Sequence, residues 1–97
     1  MRNLEKIKKE LKKLEPILKE KFKTKRIGIF GSYIKKKEKN RSDLDILIEF
    51  YEPIVLFKFV ELEDFLSRKI GVKIDLVMKD ALKLRIKEQI LKETIYI

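Results

Sequence analysis

From Leu4 onward the apolar residues fall at Leu4, Ile7, Leu11, Leu14, Leu18 and Phe22, in steps of three and four with Lys and Glu between them. That spacing is the period of an amphipathic helix, and Asn3 stands where an N-cap belongs. Pro16 interrupts the pattern. Proline has no N–H to donate and its ring clashes with the preceding turn, so the pattern predicts a helix to about Leu14 and a second stretch from Pro16 to Lys23. Arg26 to Phe30 then reads as a short strand stopped by Gly31-Ser32, and Leu44 to Phe50 as a second, β-branched strand. Pro53 suits the first turn of a helix running to about Lys69, with Val55, Phe59, Leu62 and Leu66 as its core stripe. Arg68 and Lys69 suit that helix's C-terminal dipole, and Gly71 a left-handed residue just past its end. Val72 to Met78 is a third strand. Asp80 is placed to cap a last helix with Leu82, Ile86 and Ile90 on one face.

The predicted order is helix, strand, strand, helix, strand, helix. A helix between the second and third strands is the connection that parallel neighbours need. The expectation is a small α/β (α+β) fold: a mixed sheet of about three strands covered by helices. With 97 residues and no repeat or linker, residues 1–97 are expected to form a single domain.

Composition narrows the chemistry. Charged residues make up 42% of the chain, well above the usual ~25%, and 25 Lys+Arg against 16 Asp+Glu leave a net charge of +9. That balance favours polyanionic partners such as nucleotides, nucleic acid or an acidic protein surface. Cysteine and histidine are both absent, which removes disulfides, thiolate metal sites and every Ser-His or Cys-His nucleophile arrangement. Any chemistry must run on carboxylates, hydroxyls, Lys, Arg and bound metal. No apolar run approaches the ~18 residues of a membrane span, so a soluble, cytoplasmic protein without a membrane partner is expected. High Lys, Glu and Ile with one glutamine, Gln89, fits the composition of proteins from hot environments.

The chemistry-bearing pattern is Gly31-Ser32, ten residues, then Asp43-Leu44-Asp45. Residues two apart on a strand share a face, so Asp43 and Asp45 lie together while Leu44, Ile46 and Ile48 turn to the core. Aspartate is depleted in strands and paired carboxylates repel, which a divalent cation offsets best. Asp75, inside the third strand, repeats the anomaly. If that strand is parallel to the second and beside it, all three carboxylates gather at one end, a set suited to two metals about 3.5–4 Å apart. If the first strand is antiparallel to the second, it delivers Gly31-Ser32 to the same place. There glycine lets backbone N–H groups approach a phosphate, and Ser32 adds a hydroxyl. The pattern arises by chance in about one per thousand chains of this length.

These residues, with Ile29-Phe30 before Gly31 and Ile46-Leu47-Ile48-Glu49-Phe50 after Asp45, resemble the nucleotidyltransferase superfamily related to DNA polymerase beta. More narrowly, the chain is similar to the minimal nucleotidyltransferases, the antitoxin half of HEPN/MNT toxin–antitoxin pairs. The resemblance runs from Leu4 through Lys73-Ile74-Asp75-Leu76-Val77 and beyond. It implies that Gly31 and Ser32 hold a triphosphate and that Asp43 and Asp45 bind two Mg²⁺. Asp75 would bind one metal and act as base or orient the attacking hydroxyl. It further implies that ATP is the substrate and that AMP passes to a hydroxyl, expected to be a tyrosine's, of a HEPN toxin. Family members commonly carry an Arg and then a Gly after the Gly-Ser; here the chain reads Tyr33-Ile34-Lys35-Lys36, and Lys35 supplies a point charge to the nucleotide without the bidentate fork of Arg.

Three other readings stay open: an antitoxin that neutralises its partner by contact alone, a nucleotidyltransferase acting on RNA or a small molecule, and a basic nucleic-acid-binding domain without chemistry, which leaves the three Asp unexplained. Leu56, Phe57 and Val60 widen or leave the stripe of the helix after Pro53, as either a partner or homodimer contact or a surface covered by the N-terminal helix. Lys36, Lys37, Lys39 and Arg41 form a basic run between the two motifs, and Arg85 lies between Lys83 and Lys87. Each reads as a solvated surface or an anion contact; nucleic acid is not required by either. The tail Thr94-Ile95-Tyr96-Ile97 is an edge strand or a partner contact.

Overall fold

The first helix, α1, runs unbroken from Leu4 to Phe22, with Pro16 inside it. This corrects the expected break. Pro16 and Lys12, whose carbonyl loses its helical partner, both face solvent, where water satisfies the freed group. Ile7, Leu11, Leu18 and Phe22 are buried on one side, two before the proline and two after. Packing of the stripe, at roughly 1.5–3 kcal/mol for each such side chain, outweighs the ~3 kcal/mol cost of the proline.

The computed structural model describes residues 4–31 and 44–97, apart from the side chains of Leu84 and Arg85. Lys23 ends α1 in the left-handed region with φ 58°. Strand β1 then spans Thr24–Phe30, beginning two residues ahead of the expected start, with a register irregularity between Thr24 and Arg26. Strand β2 is Leu44–Phe50, as expected. Helix α2 spans Leu56–Ile70 and strand β3 Ile74–Met78. A 3-10 turn at Lys79–Ala81 leads to helix α3, Leu84–Glu93, and a short strand β4, Ile95–Tyr96.

Several expected boundaries move. Val55 caps α2 with extended backbone (φ −76°, ψ 152°), so Pro53 lies ahead of the helix instead of in its first turn. Val55 is 66% exposed and leaves the core stripe, which consists of Leu62, Leu66 and Ile70 with Phe59 packed beside them. Gly71 takes the left-handed position (φ 84°), its N–H donating to the Ser67 carbonyl at 2.9 Å. Asp80 sits within the 3-10 turn and does not cap α3; Lys83 holds that place, Leu82 precedes the helix and Ile86 is exposed. The tail resolves as an edge strand: β4 pairs with β1, and the Ile97 N–H donates to the Ile27 carbonyl at 2.9 Å.

The described residues therefore form a sheet of four strands, one more than expected, in the order β3-β2-β1-β4. β1 is antiparallel to both β2 and β4, and β2 is parallel to β3 across the α2 crossover. One hydrophobic cluster joins Ile7, Leu11, Leu18 and Phe22 of α1 and Leu62, Leu66 and Ile70 of α2 to alternate residues of the strands. Because those strand residues are Ile27, Ile29, Leu44, Ile46, Ile48, Ile74 and Leu76, both helices cover the same sheet face. The residues between them, Asp45 and Asp75 included, belong to the opposite face.

On that opposite face Gly28 lies beneath the C-terminal segment. A Cβ there would collide with Thr94 Cγ2 and lie 3.2 Å from Tyr96 Cδ1 and 3.3 Å from the Ile95 carbonyl oxygen. Arg26, on the same face of β1, stacks 3.7 Å from the Tyr96 ring centroid. Gly28→Ala should lower stability by about 1–3 kcal/mol, the usual cost of overpacking, and loosen β4 before the rest of the sheet. Thermal unfolding together with amide exchange at Ile97 checks this; unchanged exchange there would refute the contact.

Candidate active site

β2 begins with Leu44 and Asp45, and β3 with Ile74 and Asp75. The parallel register sets Leu44 opposite Ile74 and Asp45 opposite Asp75, and the Leu44 N–H donates to the Lys73 carbonyl at 2.9 Å. Alternation sends Leu44 and Ile74 into the core and the two aspartates to the other face, at the same end of the sheet. Asp45 is half-buried and Asp75 exposed.

β1 arrives from the other side. Its last residue, Phe30, is opposite Asp45 in the antiparallel register, so the turn at Gly31 follows beside that carboxylate. Gly31 has φ 83°, a conformation glycine adopts without a Cβ penalty. A side chain there would also have no room: a Cβ would overlap Asp45 Oδ2 and lie 3.0 Å from its Cγ and 3.2 Å from its Cβ. Glycine is thus required both by the turn and by the carboxylate seated against it.

The in-register pairing puts both aspartates on one face at one end of the sheet. The donor set fits Mg²⁺: hard carboxylate oxygens on adjacent strands, one of them open to solvent, beside a main-chain turn able to approach phosphate closely. Asp43, Ser32 and Lys35 lie outside the described residues, as does the side chain of Arg85. Among the described residues, no group of three potential metal-ligating side chains comes together. The structure brings together Gly31, Asp45 and Asp75 of the six expected site residues.

Two contacts beside the site were not anticipated. The Ile74 N–H donates to Ser67 Oγ at 3.2 Å, and the Leu76 N–H donates to Glu63 Oε2 at 3.0 Å. The available signal was a polar pair four residues apart, each member one position after a stripe residue, Leu62 or Leu66.

A family model described as a nucleotidyltransferase domain matches residues 11–97. A Methanocaldococcus jannaschii protein, provisionally named a protein adenylyltransferase, is 48% identical over 98 residues and covers 100% of both chains. The protein adenylyltransferase MntA of Thermococcus cleftensis is 42% identical over 97 residues, 100% of this chain and 98% of its own. Among solved structures, a provisionally assigned minimal nucleotidyltransferase superposes with a TM-score of 0.82 at 29% identity, over 97% of this chain and 95% of that one. A complex of a tri-AMPylated Shewanella oneidensis HEPN toxin with its MNT antitoxin shares the fold, with a TM-score of 0.68 at 20% identity over 93% of this chain and 70% of that one. The glycine turn seated on Asp45, the register that pairs Asp45 with Asp75, and a match over residues 11–97 lead to one assignment: the chain belongs to the nucleotidyltransferase domain family and has the minimal nucleotidyltransferase fold.

Proposed function

We propose that this chain transfers AMP from ATP to a hydroxyl, a tyrosine's by expectation, on a HEPN-type toxin partner, and so acts as the antitoxin of the pair in the cytoplasm. The observation that carries this reading is the convergence of Gly31, Asp45 and Asp75 at one end of three adjacent strands. Relatives of nearly the same length carry the name protein adenylyltransferase, so a chain of this size suffices for the fold that bears that name.

In this mechanism main-chain N–H groups at Gly31 and Ser32 hold the triphosphate, and Lys35 offsets its charge. Asp43, Asp45 and Asp75 would hold two Mg²⁺, which when bound neutralise the triphosphate and stabilise the pyrophosphate as it leaves. The acceptor oxygen attacks the α-phosphorus, the bond to the bridging oxygen of pyrophosphate breaks, and the hydroxyl proton passes to Asp75 or to water it orients. Asp75 is the exposed member of the pair, where a bulky protein acceptor can reach it.

Leu56, Phe57 and Val60 are 78%, 79% and 54% exposed, so α1 does not cover them. They offer an apolar face for a partner or for a homodimer, and the mass of the isolated chain in solution decides between these. Among the described residues no helix is long and apolar enough to cross a membrane.

The test is transfer of label from α-labelled ATP to protein, in lysate of the source cell, with Mg²⁺ or with EDTA. A labelled protein band that disappears with EDTA is expected, and its mass identifies the acceptor. Neutralisation of the toxin without any label would overturn the enzyme reading in favour of contact alone; label on RNA or a small molecule would overturn the choice of acceptor.

A further inference from the structure

Among the described residues β3 is an edge strand, with β2 as its one neighbour in the sheet. In a parallel pair, alternate residues turn their main-chain groups to the neighbour, and the Leu44–Lys73 hydrogen bond assigns Lys73, Asp75 and Val77 to that set. The N–H groups of Ile74 and Leu76 therefore point outward, away from the sheet. On an ordinary edge they would meet water. Here each donates to a side chain of α2: Ile74 to Ser67 and Leu76 to Glu63.

The spacing explains how a helix can do this. Four residues of helix rise about 6 Å and two residues of strand about 6.6 Å, so an i, i+4 pair on α2 matches an i, i+2 pair on β3. The later helix residue serves the earlier strand residue, so α2 runs counter to β3, as the crossover requires. Leu62, Leu66 and Ile70 of the same helix are fully buried and fix its distance from the sheet. The two bonds fall on the residues immediately before and after Asp75.

The geometry points to Glu63 and Ser67 as positioning residues for Asp75, with α2 taking the place of the missing strand. This rests on the reading of Asp75 as the third carboxylate of the transferase site. Asp75 is exposed and, among the described residues, has a strand on one side only. Anchoring both of its chain neighbours sets where its carboxylate stands relative to Asp45. Neither Glu63 nor Ser67 touches the reacting atoms; each acts through the main chain of β3.

The experiment measures kcat and the KM for ATP, with thermal unfolding, for the double variant Glu63→Ala/Ser67→Ala. Glu63→Gln, which keeps an acceptor oxygen, Ile7→Val as a destabilised core control in α1, and Asp75→Asn are measured alongside. The double variant should lose roughly ten- to a hundredfold in kcat, the scale of a small misplacement of a reacting group. Its KM for ATP should hold, because the triphosphate turn is on β1. Glu63→Gln should behave as the parent, and Ile7→Val should lose Tm without losing kcat. If kcat in the double variant falls no further than in an equally destabilised Ile7→Val, or if the loss appears in KM instead, the positioning role is overturned. An inactive Asp75→Asn beside a fully active double variant overturns the positioning role alone. An active Asp75→Asn overturns the role of Asp75, and this inference with it.

Discussion

Asp45→Asn should reduce AMP transfer by about 10³-fold or more, equivalent to roughly 4 kcal/mol of transition-state stabilisation, while the protein remains folded. The substitution keeps the shape of the side chain and removes only its charge. Because size and shape are kept, Tm should stay within a few degrees of the parent. A large loss of activity without a loss of stability is the signature of a group retained for chemistry at a cost to folding. Parallel measurement of label transfer and thermal unfolding checks it. Retained transfer would remove Asp45 from the catalytic set, and a collapse of Tm would show that the residue supports the sheet instead.

Gly31→Ala should act through two separable effects. An L residue at φ 83° is strained by about 1–2 kcal/mol, and the new methyl group must displace the Asp45 carboxylate or shift the turn. Activity should fall about 10²-fold, because a small displacement of a reacting group is enough to cost that much. A double-mutant cycle with Asp45→Ala separates the two effects. Truncation at position 45 leaves only its Cβ, at 3.2 Å, near the added methyl. If the clash matters, Gly31→Ala should be less destabilising in that background by more than about 0.5 kcal/mol, the limit of ordinary additivity. Strict additivity would mean that backbone strain alone explains the need for glycine.

The local periodicities were sufficient for most of the architecture. The spacing from Leu4 to Phe22 is helical, the apolar, β-branched run from Leu44 to Phe50 reads as a strand, and Gly71 as a helix end; each depends on residues a few positions apart. The boundaries that move share one cause. Pro16, Pro53 and Asp80 have strong local preferences, and tertiary context overrides them. The buried stripe carried α1 through Pro16, extended backbone at Val55 delayed α2 past Pro53, and the chain spent Asp80 on a 3-10 turn before α3. The two-residue strand β4 has too little periodicity for the sequence to choose between an edge strand and a partner contact; its pairing with β1 decides it.

For the site, the sequence by itself determined the reagents: Gly31 at a strand end, Asp45 at a strand start, Asp75 in a strand that should have been apolar, and neither His nor Cys to offer another chemistry. Residue type and spacing along one strand are local properties, which a sequence states directly. Only the tertiary structure decided that Asp45 and Asp75, thirty residues apart in the chain, are register partners, that the Gly31 turn seats against the Asp45 carboxylate, and that α2 closes the outer edge of β3. Those facts depend on which strands pair and in what register. Register is set by burial of a whole face, since a slip of one residue in β2 would turn Leu44 outward and Asp45 into the core, and a slip in β3 would do the same to Ile74 and Asp75.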